Sequence, residues 1–455
     1  MKILICGAHG FVGRHIRQYL LEAGHEIIDG VHQFSDVASS QNNQLLIDYS
    51  KDTSGSIWEK RFAALASAAP STPIDHHANS GHIDIVINAV GILNSNKSAS
   101  FEAIHRDTPI ALFQAANDAV VKGIVQISAL GPDDHEQHYA SSNAEALSPY
   151  LQTKRDADQF LSQLACPHLI LRPSLIVGVD GASSQLFRSL ASMPLIGLPG
   201  KGEQTLQPVH IDDLCHCIGK WVTQIENNSA KPHQIMHAVG PTAMSYRQML
   251  AHYRQSMGLG SSCFLPIPMP IMRIGAVLAQ YLPQKVFAPE TLRMLEQGNT
   301  ADCAQFSDYL GHAPKAANAW FRQSEASHLA AAAIATWSSI LFRFVLALLW
   351  IATGIISLWI YPHQESALLL SQVGISDAYT IPILYAASGL DFAIGIITLT
   401  HPSRRLWQIQ ILVILLYSLI ISLALPEFLV HPFGPILKNL PILAILFVLL
   451  AGERK

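Results

Sequence analysis

Charged residues are scarce in this chain of 455 residues, because Asp, Glu, Lys and Arg make up only 14% of it, against about 25% in typical soluble proteins. The shortage is uneven: residues 1–330 have the composition of a soluble protein, whereas residues 338–455 consist largely of long apolar runs. The formal net charge is −4, and basic runs are lacking as well. A nucleic-acid binder usually presents a basic surface, so the sequence argues against nucleic acid as a partner.

Cysteine is also rare, and none of the six cysteines forms a CxxC pair. Their dispersed positions predict reduced thiols in a chain whose bulk faces the cytosol. The run Cys215-His216-Cys217 points its side chains in different directions on a helix, so we expect packing there and predict no metal site. Histidines such as His76 and His77, in a loop rich in Ala, Ser and Pro, are expected to face solvent.

The first residues lack the long apolar stretch of a signal peptide, because the apolar run before Gly7 has only four residues. The run Ile3–Cys6 instead predicts a buried strand, and RHIRQYLLEAG predicts an amphipathic helix ending at Gly24. Between strand and helix, glycines favour a phosphate site. Gly7 permits a tight turn, Gly10 lets backbone N–H groups approach a pyrophosphate, and Gly13 allows close helix packing.

Apolar strands and helical segments alternate through the first half of the chain. After the first strand, we predict strands at 25–32, 44–48, 83–91, 123–131 and 168–178, with helical segments such as 101–120 between them. Continuous apolar strands that alternate with helices predict an α/β fold with a parallel, doubly wound Rossmann sheet.

The segment SPYLQTKRDADQF, residues 148–160, follows the fifth of these strands and contains Tyr150 and Lys154. Residues four apart share one face of a helix, so both side chains can point into one cleft. An ammonium group favours a nearby phenolate, and we therefore expect Lys154 to lower the pKa of Tyr150 and equip the pair for proton transfer. Two surface residues at a common spacing are the alternative interpretation.

Several motifs occur together in residues 1–315. They are Gly7-x-x-Gly10-x-x-Gly13, Asn88-Ala-Val-Gly91, Ser128, Tyr150-x-x-x-Lys154, RPSLIVG at 172–178 and QPVHIDDL at 207–214. In this combination the chain resembles the extended or atypical short-chain dehydrogenase/reductase superfamily, with its NAD-dependent epimerases and dehydratases. SALG, GPTAMSYRQML and ETLRMLEQGN (128–131, 240–250 and 290–299) are similar to the branch that contains the nucleotide-binding accessory subunit of respiratory complex I.

The resemblance implies a nicotinamide cofactor on the glycine turn, with Tyr150 as acid/base and Lys154 as the group that holds the ribose and tunes Tyr150. Further cofactor-binding residues that it implies are His9, Phe11, Val12, Ala89, Gly91 and Pro173. The fifth strand ends in Ser128-Ala129, where members of the superfamily usually have two hydroxyl residues, the second one catalytic. Either Ser128 has taken the catalytic role, or the catalytic hydroxyl is missing and Ser128 only caps the strand.

The second strand bears on the choice between NADP and NAD. A NAD-selective site has a carboxylate about 20 residues past the glycine turn, and the family pattern aligns Val31 with that position. Asp29 lies two residues earlier, and His32 could receive a 2′-phosphate. We therefore favour NADP, with NAD as the alternative. Asp48, at the end of the third strand, resembles the residue that meets the adenine amino group, and a strand-end cap is the other interpretation.

Residues 180–315 are expected to form a small substrate lobe, and residues 316–337 a connecting helix. Within the lobe, FLPIPMPIMRIGAVLAQYL (264–282) is largely apolar, with Arg273 as its single charged residue. A buried helix is one interpretation of this segment. The other is an interfacial segment that rests on lipid or admits an apolar substrate.

Four apolar runs predict membrane spans at 340–361, 381–399, 406–425 and 436–450. Arg404 and Arg405 lie between the second and third runs, whereas the other two connections are mainly acidic. The positive-inside rule therefore predicts a multi-pass protein of the inner (cytoplasmic) membrane, with the N-terminal domain and the C-terminus in the cytoplasm. The lipid bilayer is accordingly an expected partner.

Residues 338–455 resemble the DoxX-like four-helix membrane proteins, through SGLDFAIG (388–395) and HPFGPILKNLP (431–441). Asp391 lies within a predicted span, where a carboxylate is costly unless it is paired or faces a cavity. An ion pair with Arg343 or Lys438 is one interpretation, and a proton or quinone site is the other.

The sequence thus predicts a membrane-anchored NAD(P)-dependent oxidoreductase or epimerase-like enzyme that acts on a small, lipid-soluble substrate, quinone-related or isoprenoid. The first alternative, which Ala129 permits, is a non-catalytic NAD(P)H-binding assembly or sensor protein of a membrane redox complex. A second alternative is a transport or redox-partner module whose Rossmann domain regulates the membrane bundle.

Overall fold

The computed structural model describes residues 1–33, 43–67, 82–95, 99–134, 147–279, 287–432 and 434–453. The loop with His76 and His77 lies outside these residues. The chain divides into two compact units, Met1–Ala331 and Ala332–Lys455.

The first unit is built on strands. In chain order its described strands are β1 Lys2–Cys6, β2 Glu26–Val31, β3 Gln44–Leu46, β4 Ile85–Asn88, β5 Gly123–Ile127, β6 His168–Pro173, β7 Ile176–Val177, β8 Leu195–Pro199, β9 Thr205–Leu206, β10 Val209–His210, β11 His233–Ala238, β12 Met244–Ser245 and β13 Cys263–Ile267. One sheet has the order β11-β6-β5-β4-β1-β2-β3, and each of its pairings is parallel. The other strands form two-stranded pairs, β10 with β7, β12 with β9 and β13 with β8.

Helices cover both faces of this sheet. The α-helices of the described part of the first unit are α1 Phe11–Glu22, α2 Gly55–Ser67, α3 Thr108–Asp118, α4 Pro149–Ser162, α5 Ala182–Ser192, α6 Ile211–Glu226, α7 Tyr246–Ser256, α8 Met269–Ala279, α9 Pro289–Gln297 and α10 Ala304–Leu310. Successive strand residues point to opposite faces: Ile3 and Ile5 pack in the cluster with α1 and α6, and Leu4 and Cys6 in the cluster with α2 and α3. Burial on both faces explains why the central strands are continuously apolar, and it confirms the doubly wound prediction.

The strand order reverses at β1, which has β2 on one side and β4 on the other. In open α/β sheets, ligands bind outside the carboxyl ends of the strands at such a switch point. The turns that follow β1, β4 and β5 therefore form the crevice in which a site is expected.

Strand β11 is absent from the sequence prediction, for a physical reason. It lies at the outer edge of the sheet beside β6, and its sequence HQIMHA alternates buried and more exposed positions. Without a continuous apolar run, it lacks the signal that marks the central strands. The predicted strand 168–178 is in turn two strands, because the chain leaves the sheet after Pro173 and β7 pairs with β10.

The second unit is helical. Helix α11 Ala326–Ile355 begins in the first unit, and it is followed by α12 His363–Gln372, α13 Asp377–Thr400, α14 Arg404–Ala424 and α15 Asn439–Gly452. Among the described residues, three helical stretches are long and apolar enough to cross a membrane, Gln323–Ile360, Asp377–Thr400 and Arg404–Ala424. Helix α15, at the fourth predicted span, has only 14 residues. It is therefore about 21 Å long, against about 30 Å of hydrocarbon. The four-span topology stays a prediction.

The predicted ion pair of Asp391 is not found in the described part of the chain. Arg343 instead donates from Nη2 to the carbonyl oxygen of Leu399 at 2.9 Å and from Nε to that of Thr398 at 3.4 Å. Lys438 is exposed at the start of α15. Arg343 binds carbonyl groups at the end of α13 because the last turn of a helix leaves its carbonyl oxygens without partners.

Candidate dinucleotide and catalytic site

The glycine turn, residues 7–13, joins β1 to α1. Gly7 has a φ of +83°, and its N–H donates to the Gly30 carbonyl oxygen at 3.1 Å. The N–H of Gly10, the residue before α1, donates to the Gly7 carbonyl oxygen at 2.9 Å. A Cβ on Gly13 would lie 2.1 Å from that same oxygen, so only glycine lets α1 come this close to the turn. The first turn of α1 has no acidic residue to oppose an anion there.

The other predicted residues of this turn are His9, Phe11 and Val12. His9 is exposed, and its Nε2 lies 4.0 Å from Asp29 Oδ2. Phe11 is the first residue of α1, and Val12 is the second. The ring of Phe11 packs on two glycines beyond β7. A Cβ on Gly178 or Gly181 would lie 2.8 or 3.0 Å from ring atoms of Phe11. The aromatic ring thus fixes the start of α1 against a distant segment.

Lys154 lies on α4, and its ammonium group reaches the carboxyl edge of the sheet. It donates to the carbonyl oxygens of Val90 at 3.2 Å and Ile127 at 3.0 Å, beyond β4 and at the end of β5. A Cβ on Gly91 would lie 3.6 Å from Lys154 Nζ. Burial lowers the pKa of Lys154 to about 8. The ammonium group is therefore in the switch-point crevice, where a ribose is expected to bind.

Tyr150 lies one helical turn before Lys154 and is buried. Its ring makes edge-to-face contacts with Phe101 and His105, at centroid distances of 5.9 and 5.1 Å. Burial raises the pKa of Tyr150 to about 12. The predicted lowering of this pKa is therefore wrong for this structure, because the loss of hydration outweighs the nearby positive charge of Arg155.

Ser128 and Ala129 take different surroundings at the end of β5. The Ser128 hydroxyl donates to Asp158 Oδ2 at 2.7 Å, and the same oxygen accepts from Arg172 Nε at 3.1 Å. Ala129 belongs to the apolar cluster that contains Tyr150. The residue packed near Tyr150 is thus the one without a hydroxyl, while the Ser128 hydroxyl is held by a carboxylate.

The remaining predicted residues follow the ends of the neighbouring strands. The N–H of Ala89 donates to the Cys6 carbonyl oxygen at 3.0 Å, and Gly91 is exposed two residues later. Pro173 ends β6 and is buried, and its carbonyl oxygen accepts from the Leu130 N–H at 2.9 Å. These contacts extend the hydrogen-bonded edge of the crevice from β1 to β6.

A cavity of about 470 Å³ opens beside the glycine turn. Its lining residues are Ala8, His9, Arg14, His15, Arg17, Gln18, Asp29, Gln44 and Asp180. Asp29 is buried and accepts from Arg17 Nε at 2.6 Å, so its negative charge is compensated within the protein. The cavity is large enough for part of a nucleotide.

Of the residues that bear on the choice of cofactor, Asp29 lines this cavity, whereas Val31, His32 and Asp48 do not. Val31 ends β2 and is buried, and His32 is exposed directly after it. Asp48 accepts from the Ser50 hydroxyl at 2.6 Å and from the Ser50 N–H at 3.1 Å. These bonds, with the Lys51 ion pair, lower the pKa of Asp48 to about 2 despite partial burial. Asp48 thus has the contacts of the turn cap that was the other interpretation.

Three residues of the site were missed by the sequence reasoning. His105 accepts from the Ile92 N–H at 3.0 Å and packs on Tyr150. Arg17 pairs with Asp29, and Asp158 holds Ser128. Helical spacing could have found Asp158, because it lies four residues after Lys154 on α4. The contacts of His105 and Arg17 have no such local signal and are seen only in the folded structure.

Helix α8 lies in the apolar segment 264–282, which can be interpreted from sequence as either a buried helix or an interfacial segment. Ile274 and Leu278 are 63% and 62% exposed, and Ile271 is exposed on the same face. Only Ala276 and Ala279 of this helix are buried. The buried-helix interpretation is therefore wrong for α8, which presents an apolar face on the surface of the first unit.

Comparisons with known proteins agree with this geometry. Residues 3–235, about half of the chain, match the model of the NAD dependent epimerase/dehydratase family, and residues 347–447 match the DoxX-like family. Curated relatives include the mitochondrial protein NADH dehydrogenase (ubiquinone) 1 alpha subcomplex subunit 9. The Mus musculus protein is 23% identical over 271 residues, 59% of this chain and 63% of its own. The Arabidopsis thaliana protein is 22% identical over 291 residues, 63% and 65% of the two chains.

The chain thus spans somewhat less than two thirds of the length of these curated relatives. Among solved structures, MoeE5 in complex with UDP-glucuronic acid and NAD has a TM-score of 0.50 and 15% identity, and the match covers 72% of this chain and 98% of that one. At this identity the likeness shows the fold alone. With the matched family model over the sheet, the glycine turn and α4, the chain belongs to the NAD dependent epimerase/dehydratase family, and a DoxX-like region follows the family domain.

Proposed function

We propose that this chain is a membrane-anchored NAD(P)-dependent oxidoreductase or epimerase-like enzyme that acts on a lipid-soluble substrate, quinone-related or isoprenoid. The observation that carries the proposal is the position of the Lys154 ammonium group, held by carbonyl groups at the ends of two strands in the switch-point crevice. Tyr150 lies one turn away on the same helix, as an acid/base residue requires.

The residues of the crevice fit a nicotinamide dinucleotide. Gly10 and Gly13 leave the N–H groups at the start of α1 open to a pyrophosphate, and Lys154 would hold the ribose. The dinucleotide, when bound, supplies the hydride acceptor or donor. Tyr150 would exchange a proton with the substrate oxygen, and Ser128 could bind that oxygen only by releasing Asp158.

NADP is the proposed dinucleotide, with NAD as the alternative. Val31 offers no carboxylate at the end of β2, and the Asp29 carboxylate is paired with Arg17. Arg17 and His9 also line the cavity, where they would favour a phosphate group. NAD would be preferred if Asp29 exchanged Arg17 for the ribose hydroxyl.

A lipid-soluble substrate is supported by two features. The chain has helices long and apolar enough to cross a membrane, and α8 presents Ile271, Ile274 and Leu278 on the surface of the first unit. We propose that this face rests on the bilayer surface, in the manner of an interfacial helix. In the same proposal the catalytic domain comprises residues 1–315, and both termini lie in the cytoplasm of an inner-membrane protein with four spans.

Hydride transfer by the purified protein in detergent tests the proposal. NADPH oxidation would be followed by absorbance with a panel of short-chain quinones and isoprenoid aldehydes, and Tyr150→Phe is the matched control. Substrate-dependent oxidation that this variant loses would support the enzyme. Tight NADPH binding with no oxidation by any member of the panel would favour the second function.

That second function is a non-catalytic NAD(P)H-binding assembly or sensor protein of a membrane redox complex. Two observations favour it: Ala129 stands where a second hydroxyl is expected, and burial raises the pKa of Tyr150 to about 12. Some relatives carry the name of an NADH dehydrogenase subunit, which suggests a membrane redox partner for this chain as well.

A further inference from the structure

The interior of the second unit contains a group of polar side chains, on α11, α13 and α14, that hydrogen-bond to each other. Gln410 on α14 is fully buried. Its Oε1 accepts from Trp350 Nε1 at 2.8 Å, and its Nε2 donates to Thr398 Oγ1 at 3.0 Å. The Thr398 hydroxyl in turn donates to the Ile394 carbonyl oxygen. This group has the contacts of a structural network between helices.

Asp391 and Ser388 differ from that network. They lie three residues apart on the buried face of α13 and are only 6% and 1% exposed. Among the residues that the structure describes, Asp391 Oδ1 and Ser388 Oγ have no hydrogen-bond partner. The phenol of Tyr417 on α14 is within electrostatic range of Asp391. An acceptor and a hydroxyl are therefore left open on one helix face.

Leaving these groups unpaired is costly, because a buried carboxylate without a donor loses hydration and gains nothing in return. The two cations considered as partners are engaged or exposed: Arg343 binds carbonyl groups at the end of α13, and Lys438 is exposed. A ligand that brings its own hydrogen-bond donor would remove the cost.

A cavity of about 300 Å³ lies beside the turn of α13 that precedes this pair, although neither Ser388 nor Asp391 is among its lining residues. Leu384 and Ala387 contribute to its lining from the turn of α13 that precedes Ser388. The other lining residues are Ile356, Ser357, Tyr361, Ser366, Leu369, Leu370 and Ile383. The volume and the mainly apolar lining are those of a small-ligand site, so an apolar molecule could lie there with its polar end toward Ser388.

We propose that Asp391 and Ser388 bind the hydroxyl headgroup of an uncharged, lipid-soluble molecule, with the Asp391 carboxylate as acceptor and the Ser388 hydroxyl as a second partner. A quinol and an isoprenoid alcohol are two sources of this chemistry. A metal cation fits less well, because Ca²⁺ or Mg²⁺ takes about six or more oxygen ligands. The proposal rests on the proposed function only in the choice of a lipid-soluble ligand, since the site lies within the second unit.

The test uses the full-length protein in detergent with a photoactivatable isoprenoid alcohol as the probe. We expect saturable labelling within residues 377–400, and loss of about tenfold in probe affinity for Asp391→Leu and for Ser388→Ala. Thr380→Val is the matched control. Thr380 is buried on the same face of α13, but its hydroxyl already donates to the Asp377 carbonyl oxygen. Competition experiments distinguish the two sources. A short-chain quinol that displaces the probe indicates a quinol site, whereas displacement by the unlabelled alcohol alone indicates an isoprenoid alcohol site.

Non-saturable labelling, or equal labelling of Asp391→Leu and Thr380→Val, would overturn the proposal. Equal competition by the quinol and by its oxidised quinone would do the same, since the quinone has no hydroxyl group to donate. If Asp391→Leu does not fold, Ser388→Ala carries the test, because it removes only one oxygen. NADPH binding measured on the same samples reports on the first unit, so failure of this site remains distinct from failure of the proposed function.

Discussion

Ser128 Oγ and Asp158 Oδ2 are 2.7 Å apart, and this hydrogen bond decides where the only hydroxyl of the Ser128-Ala129 pair is directed. The carboxylate also accepts from Arg172, and Arg155 lies 3.6 Å away. Ser128 is thereby part of a buried ionic network, whereas Ala129 packs with Tyr150. The cleft has its tyrosine and lysine, but the second position of the pair has no hydroxyl, and the hydroxyl of the first position is bound to Asp158.

This arrangement gives Ser128→Ala and Ala129→Ser opposite expected effects. Ser128→Ala should lower the free energy of unfolding by about 1–3 kcal/mol, because a hydrogen bond to a buried charge is lost, and should leave kcat within about twofold. Ala129→Ser should raise kcat, since it adds a hydroxyl near Tyr150. Thermal unfolding and steady-state rates of both variants check this. A loss of kcat of a hundredfold in Ser128→Ala would instead assign the catalytic hydroxyl to Ser128.

Tyr150 and Lys154 are expected to separate rate from binding. Tyr150→Phe keeps the ring contacts with Phe101 and His105 but removes the transferable proton. It should therefore lose about 10²- to 10⁴-fold in kcat with dinucleotide affinity retained. Lys154→Ala should weaken both, because its ammonium group lies in the ribose crevice. Rates and NADPH titrations on the same preparations make the comparison, and turnover of Tyr150→Phe at the parent rate would leave the pair a scaffold role only.

Gly10 offers a clean test of the dinucleotide site. A Cβ at this position would have only the Gly7 carbonyl oxygen nearby, at 3.2 Å, and Asp and Asn are both favourable residues before a helix. Gly10→Asp should therefore fold but lose more than tenfold in NADPH affinity, or about 1.4 kcal/mol. Gly10→Asn has the same shape without the charge and should lose less. Undiminished affinity in Gly10→Asp would contradict the assignment of the site.

The choice of cofactor is expected to depend on Arg17 and Asp29. The parent protein should bind NADP more tightly than NAD, and Arg17→Gln should weaken NADP selectively, because it removes a positive charge from the cavity. If Asp29 holds the ribose hydroxyl, Asp29→Asn should weaken NAD binding at least as strongly as NADP binding. If it does not, NAD binding should be the less affected of the two. Fluorescence titrations with both cofactors distinguish these cases, and tighter NAD binding by the parent would show that the proposed preference is reversed.

His105 predicts a dependence of stability on pH. Burial, with the charge of Lys154, lowers its pKa to about 2, whereas an unfolded histidine titrates near 6.5. Between these two pKa values, His105 is therefore protonated in the unfolded chain but neutral in the folded protein. The contribution of His105 is fully present above pH ~6.5 and is lost at up to about 1.4 kcal/mol per pH unit below it. The melting temperature of His105→Gln should fall less steeply from pH 7 to 5 than that of the exposed-site control His328→Gln. Parallel slopes would contradict the prediction.

The sequence predicts the central sheet well, because β1, β4 and β5 are buried on both faces and are therefore apolar throughout. The glycine turn after β1 and the helix with Tyr150 and Lys154 are likewise predictable, because each depends on a pattern of residues close together in the sequence. The pairing of Arg17 with Asp29 could not be predicted in the same way. It depends on which face of α1 lies over β2, and no short-range signal specifies that contact.

The electrostatic error has a similar origin. Sequence spacing suggested that Lys154 would lower the pKa of Tyr150, but spacing carries no information about hydration. Phe101 and His105 enclose the tyrosine ring from a segment more than 40 residues earlier in the chain. Their contribution to burial, which dominates the pKa, becomes visible only in the folded protein.

The packing of Phe11 on Gly178 and Gly181 has a consequence for biosynthesis. The helix that should receive the pyrophosphate begins at residue 11, yet its first side chain is held by glycines that the ribosome adds about 170 residues later. A nascent chain that ends before residue 181 lacks that support. The contact that fixes the start of α1 therefore forms only after the segment beyond β7 has been synthesised.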